Sequence, residues 1–236
     1  MARKPQPEKV PANNREKIVG AFMALLAERP IEEISFADLA QRAGLSLADC
    51  RAEFGSLMAV LAAHVKEIDR QVLAGGDPDL GEEPPRERLF DVLMRRLEAL
   101  APYKPAIRSL VRSARRNPGL ALALNAMNVR SQQWMLTAAD IDAAGPAGML
   151  RAQGLALLYA GVLRTWVRDD DPGQARTMAA LDRELARGAR YGRLLEDLCG
   201  IASVLGRLRP GRRRRRDERD EPPRPPPPSG EEPVPI

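Results

Sequence analysis

Apolar residues recur at three- and four-residue intervals along most of the chain, a pattern that predicts helices rather than strands. Ile18, Phe22, Leu25 and Leu26 form one stripe at i, i+4, i+7 and i+8. They belong to a first helix that opens on Asn13 with Glu16, a capping signal, and runs to about Arg29 before Pro30 stops it. The stretch SFADLAQRAGLSLADCRAEF, residues 35–54, then reads as two short helices joined by a tight turn. Ser35 precedes Asp38 by three residues and Ser46 precedes Asp49 by three, the spacing of a capping box with Asp as its acid. Gly44 lies where a helix ends on a residue at positive φ. Phe36, Leu39, Ala40 and Ala43 share one helical face, and Leu45, Cys50 and Phe54 share the face set against it. Small Ala40, turn Gly44 and apolar Cys50 have the spacing of a helix-turn-helix, though any helical hairpin with a glycine turn would share it. A further helix from Leu57 to about Ala74 carries Leu57, Val60, Leu61, Val65, Ile68 and Val72, with His64 beside the stripe as a packed or half-exposed histidine rather than a ligand.

The run from Ala74 to Pro85, rich in Gly, Pro and acids, breaks the pattern and is the expected domain boundary. Helical spacing resumes at Arg86, with Leu89, Val92, Leu93, Leu97 and Leu100 on one side. A helix from about Pro105 to Arg116 is expected to bury Ile107, Leu110, Val111 and Ala114 and to turn Arg108, Arg112, Arg115 and Arg116 to solvent. The segment from Gly119 to Ala138 is apolar nearly all round, which implies burial on several sides. Two long helices are expected at about 147–168 and 174–200, the first with Gly154 and Gly161 on one side. Residues 1–12 read as a flexible arm, and residues 209–236, with RRRRR at 212–216 and prolines at 225–228, as a disordered tail that cannot bury a core.

Composition narrows the class. Aromatics make up only 4% of the 236 residues, which favours helix over sheet. Two distant cysteines and one histidine argue against a zinc cluster or a disulfide framework. There is no Gly-rich phosphate loop and no Ser/His/Asp arrangement, so an enzyme is not expected, nor a cofactor. With no apolar run of about 18 residues and an N-terminus unlike a secretory signal, the expectation is a soluble, cytoplasmic protein without a membrane span. The net charge is +5, but residues 1–74 hold ten basic and ten acidic side chains, so the helix-turn-helix region is neutral overall. That counts against tight phosphate binding unless the bases share a face.

Three runs, REKIVGAFMALLAERP, ISFADLAQRAGLS and FGSLMAVLAAHV, follow one another in order and spacing over residues 13–74. In these the chain resembles the N-terminal domain of the tetracycline-repressor (TetR/AcrR-like) family of bacterial transcriptional regulators. The resemblance covers about a quarter of the chain; beyond it the match is architectural.

The resemblance implies an all-α protein of about nine helices. Its N-terminal helix-turn-helix domain of three or four helices would bind double-stranded operator DNA, and its C-terminal helical domain, residues 86–200, would hold a ligand pocket and a dimer interface. A homodimer would set two reading helices about 34–36 Å apart, with the last two long helices as the dimer face. An apolar small-molecule effector would act by favouring a spacing that no longer matches the DNA. Carried over position by position, the DNA-facing set is Ser35, Arg42, Ser46, Leu47, Ala48 and Arg51, with Ser46 capping the reading helix. Arg51 stands where the family usually shows a backbone-contacting tyrosine, and Leu57 where it usually shows a phosphate-gripping lysine. Met127, Trp134, Tyr159 and Trp166 are the pocket candidates. No catalytic or metal-binding residue is expected. The implied function is a ligand-responsive dimeric repressor. The alternative is a member of the fold that has lost DNA binding and holds lipid or quinone, like the lipid-binding proteins of ubiquinone biosynthesis; the neutral head, Leu57 and Asp49 favour it.

Overall fold

A computed structural model describes residues 13–76 and 81–188, and those residues are all-helical. The expected arm at 1–12, the tail at 209–236, Cys199 and the last helix beyond residue 188 lie outside the described residues. Helix α1 spans Asn14–Glu28 and is capped by Asn13, whose side chain accepts from the Glu16 amide at 2.8 Å. After Pro30 a 3-10 turn, Ile31–Glu33, leads to α2 (Phe36–Ala43) and α3 (Leu47–Glu53). Helix α4 runs Leu57–Ala74, with the Ser56 hydroxyl accepting from the Ala59 amide at 3.1 Å. Then follow α5 (Pro85–Leu100), α6 (Lys104–Ala114), α7 (Pro118–Ala138, capped by Asn117) and α8 (Gly145–Trp166). Among the described residues a further helix, α9, includes 175–188.

Two apolar cores organise these helices. The first gathers the α1 stripe of Ile18, Phe22, Leu25 and Leu26 with Leu39 and Ala40 of α2, Cys50 of α3, Phe54, and Val60 and Leu61 of α4. It also takes in Ala106 and Leu110, because α6 lies along α1. The second core begins at the other end of α4 with Ile68 and Val72 and adds Leu93 and Leu97 of α5, Met135 and Leu136 of α7, Tyr159 and Trp166 of α8, and Leu181 of α9. Helix α4 therefore contributes its first half to one core and its second half to the other.

Two helices differ from the sequence pattern. On α6 the buried line is Ala106, Leu110 and Ser113, with Ile107 and Val111 only half-buried. The rotation follows from polar contacts with the first core's outer layer: Ser109 Oγ donates to the Arg29 carbonyl at 3.2 Å and Ser113 Oγ to Glu32 Oε2 at 2.8 Å. The basic side is not merely solvated either, since the Arg108 guanidinium donates to the Val167 carbonyl. Helix α7 is not buried on several sides. Leu122 is 72% exposed and Trp134 54%, while Ser131 and Gln132 face inward beside Met135 and Leu136. Abundant leucine on every side left this helix without a readable period, and its neighbours α4 and α8 chose the face.

Candidate nucleic-acid interface

The turn between α2 and α3 is built from local chemistry. Ser35 Oγ accepts from the Asp38 amide at 3.2 Å and donates to Asp38 Oδ2 at 2.6 Å, and Asp38 Oδ2 accepts the Ser35 amide at 2.8 Å. Both halves of the box are therefore closed, and the hydroxyl and amide of Ser35, followed by Arg29, hold the Asp38 carboxyl far below the usual carboxylate range. The second box repeats the first: Ser46 Oγ accepts from the Asp49 amide at 3.1 Å and donates to Asp49 Oδ2 at 2.6 Å. The same hydroxyl lowers the Asp49 carboxyl. Between the boxes Gly44 has φ 66° and ψ 37°, and the Leu45 amide bonds back to the Ala40 carbonyl at 3.0 Å. A Cβ at Gly44 would meet no atom within 4 Å, so the positive φ, not crowding, selects glycine there.

Helix α3 is seated by Cys50, fully buried, and Phe54, 4% exposed. Burial, aided by the Asp49 charge, pushes the Cys50 thiol up, so it is a packing group and not a reactive one. At 100° per residue, Ala48 and Ala52 then point away from the core. Leu47 and Arg51 form one flank of that outer face, Asp49 and Glu53 the other. Leu47 is 56% exposed, and Ala48, Arg51 and Ala52 are exposed too.

The six DNA-facing candidates are thus close in the fold but differ in what they offer. Ser35 and Ser46 spend their hydroxyls on capping. Arg42, in the last turn of α2, forks onto Glu28 of α1 at 2.8 and 2.6 Å, an exposed ion pair that would have to open before the guanidinium met a phosphate. Leu47, Ala48 and Arg51 stand on the outer face, and Arg51 makes no ion pair among the described residues. Leu57 is half-buried at the start of α4. On the acidic flank Glu53 pairs with Arg15 at 3.8 Å, and Arg15 lies 4.6 Å over the Phe54 ring.

The four pocket candidates do not line one common cavity among the described residues. Tyr159 and Trp166 are each 1% exposed within the second core. Met127 packs against the first core. Trp134 stands at the surface, in an open cleft of about 880 Å³ formed with Arg130, Gln133, Thr137, Asp140 and Asp142 where α7 turns into α8. Large apolar residues on α7 and α8 marked helix packing, and their facing depended on partners the pattern does not name.

Sequence reasoning passed over the polar centre of the second core. Asp69 of α4 pairs with Arg96 of α5, the two being 8% and 4% exposed, and Ser131 Oγ donates to Asp69 Oδ1 at 2.7 Å. The Arg96 guanidinium lies 5.6 Å from the Tyr159 ring centroid. His64, 3% exposed, packs edge-on against Tyr103 at 4.4 Å, and burial beside Arg96 lowers its pKa to about 4. The readable signal was a charge inside each apolar stripe: Asp69 follows Ile68, and Arg96 lies between Leu93 and Leu97.

The fold and site define an all-helical protein with an N-terminal helix-turn-helix joined to a second helical bundle. That fold is TetR-like. A TetR transcriptional regulator from Nitrosomonas europaea ATCC 19718 superposes with a TM-score of 0.58 at 23% identity, covering 74% of this chain and 97% of that one. A TetR transcriptional regulator from Rhodococcus sp. RHA1 gives 0.54 at 19% identity, covering 74% and 95%. No protein-family model and no curated protein matches the chain. No helix among the described residues is long and apolar enough to cross a membrane.

Proposed function

We propose that the chain is a DNA-binding transcriptional regulator that works as a homodimer, represses from an operator and responds to a small molecule. The observation that carries this reading is the doubly capped α2–α3 unit, with Gly44 at positive φ in its turn and the outer face of α3 open to solvent. A short helix held rigidly at both ends, with one side clear of the protein, is what insertion into a major groove needs. Dimerisation draws support from α8, where exposed Leu150 and Leu157 alternate with Gly154 and Gly161. A Cβ on either glycine would meet nothing within 4 Å, so a second helix can approach closely along that side. The lipid-binding alternative has less support, because the middle of the second core is occupied by an ion pair and Gln132 rather than by an apolar channel.

The test is fluorescence anisotropy with a duplex from the region beside the protein's own gene, at about 50 and 200 mM salt, against a scrambled duplex. Tight binding that resists the scrambled competitor is expected, with weaker affinity and a shallower salt slope for Arg51→Ala. Equal affinity for both duplexes, lost together as salt rises, would refute specific operator binding.

A further inference from the structure

The outer face of α3 is unusual for a surface expected to meet a polyanion: it is mostly methyl groups. Ala48 and Ala52 point outward and Leu47, 56% exposed, flanks them. The polar side chains around them are largely engaged. Ser46 and Asp49 are closed on each other at 2.6 Å, and Glu53 is paired with Arg15 at 3.8 Å. Asp49 also accepts the Ser46 amide at 3.1 Å, which sets a carboxylate at the start of α3, so that helix end repels phosphate instead of holding it. Among the described residues, Arg51 is the α3 side chain left to donate to a base or a phosphate. A half-exposed leucine at the first turn of a seven-residue helix adds nothing to the core, since Cys50 and Phe54 already seat that helix.

In the major groove one base offers an apolar group, the C5-methyl of thymine. The geometry points to thymine-methyl readout: Leu47 and Ala48 select operator half-sites by contact with thymine methyl groups, and Arg51 supplies the polar contact beside them. This rests on the DNA-binding reading above and adds to it the chemistry by which the site chooses its sequence. The neutral charge balance of residues 1–74 fits such a reader, because less of its affinity comes from phosphates and more from the groove.

The test separates this inference from the reading beneath it. The full-length protein is used to enrich binding duplexes from a random pool. The enriched duplex is then remade with each thymine of the half-site replaced in turn by uracil, which keeps every hydrogen-bonding edge and removes only the methyl. At one or two positions per half-site, binding is expected to weaken about fourfold, the effect of losing one buried methyl-sized contact. Leu47→Ala, at an exposed position, is expected to keep the thermal midpoint and to lose the difference between thymine and uracil duplexes. Uracil duplexes bound as well as thymine duplexes by the unmodified protein would overturn the inference and leave DNA binding intact. A pool that yields no enriched sequence would overturn both.

Discussion

The buried pair Asp69–Arg96 gives the sharpest test of the energetics. Asp69→Asn changes charge and little else, and it strands a guanidinium that is 4% exposed. Breaking a buried ion pair on one side costs about 3–5 kcal/mol. Arg96 keeps its position over Tyr159 at 5.6 Å, a cation–π contact of about 1 kcal/mol, so the lower end, about 3 kcal/mol, is expected. Arg96→Met leaves the Asp69 carboxylate with only the Ser131 hydroxyl at 2.7 Å and should cost a similar amount. The double change Asp69→Leu with Arg96→Met removes both charges together. Its expected cost is about 1 kcal/mol, mainly from Ser131 losing its acceptor, well below either single change. Urea unfolding followed by circular dichroism at neutral pH reads all three. With a slope of about 2–3 kcal/mol per molar, each single change moves the midpoint down by about 1–1.5 M. A loss under about 1 kcal/mol for Asp69→Asn, or a double variant as unstable as the sum of the singles, would refute the view that this pair is a mutually dependent charge couple.

His64 supplies a pH dependence. Its folded pKa is lowered to about 4 by burial, and next by Arg96, while an unfolded histidine titrates near 6.5. The unfolded chain therefore takes up a proton first: stability is full above about pH 6.5 and falls by about 3 kcal/mol as pH drops towards 4. His64→Phe should flatten unfolding free energy between about pH 5 and 6.5, where carboxylates do not yet contribute; an unchanged slope there counts against the assignment. Ser46→Ala removes the acceptor for the Asp49 amide and should cost about 1 kcal/mol, read as a lower thermal midpoint and faster amide exchange in α3. Leu57→Lys puts an ammonium at the start of α4 and should tighten DNA binding and steepen the salt slope by about 0.9 per half-site in the anisotropy assay. An unchanged slope would mean that the start of α4 does not approach the DNA backbone.

What the sequence disclosed was local. Both capping boxes, the stop at Gly44 and the α1 stripe depend on residues within four positions of one another, and each appears where the spacing put it. The α3 members of the DNA-facing set came from the family resemblance, and Leu47, Ala48 and Arg51 are exposed. What stayed hidden depends on other helices. The inward face of α7 was set by α4 and α8, so Trp134 went outward and Gln132 inward. Arg42 was placed in the DNA-facing set, and Glu28, fourteen residues earlier, pairs with it across a helix junction. Asp69 and Arg96 stand in separate stripes of the sequence, and only the fold sets them against each other as an ion pair.

The division of α4 between two cores has a consequence for how the chain melts. A fragment cut at residue 76 would keep Ile68 and Val72 without their neighbours and lose Ala106 and Leu110 from the packing around Phe22. Neither half closes its own interior. The two bundles should therefore unfold in one cooperative transition, with calorimetric and van't Hoff enthalpies in agreement. The helix-turn-helix is then not a detachable reading head: its melting temperature is that of the whole helical body, and any tightening of the second core is inherited by α3.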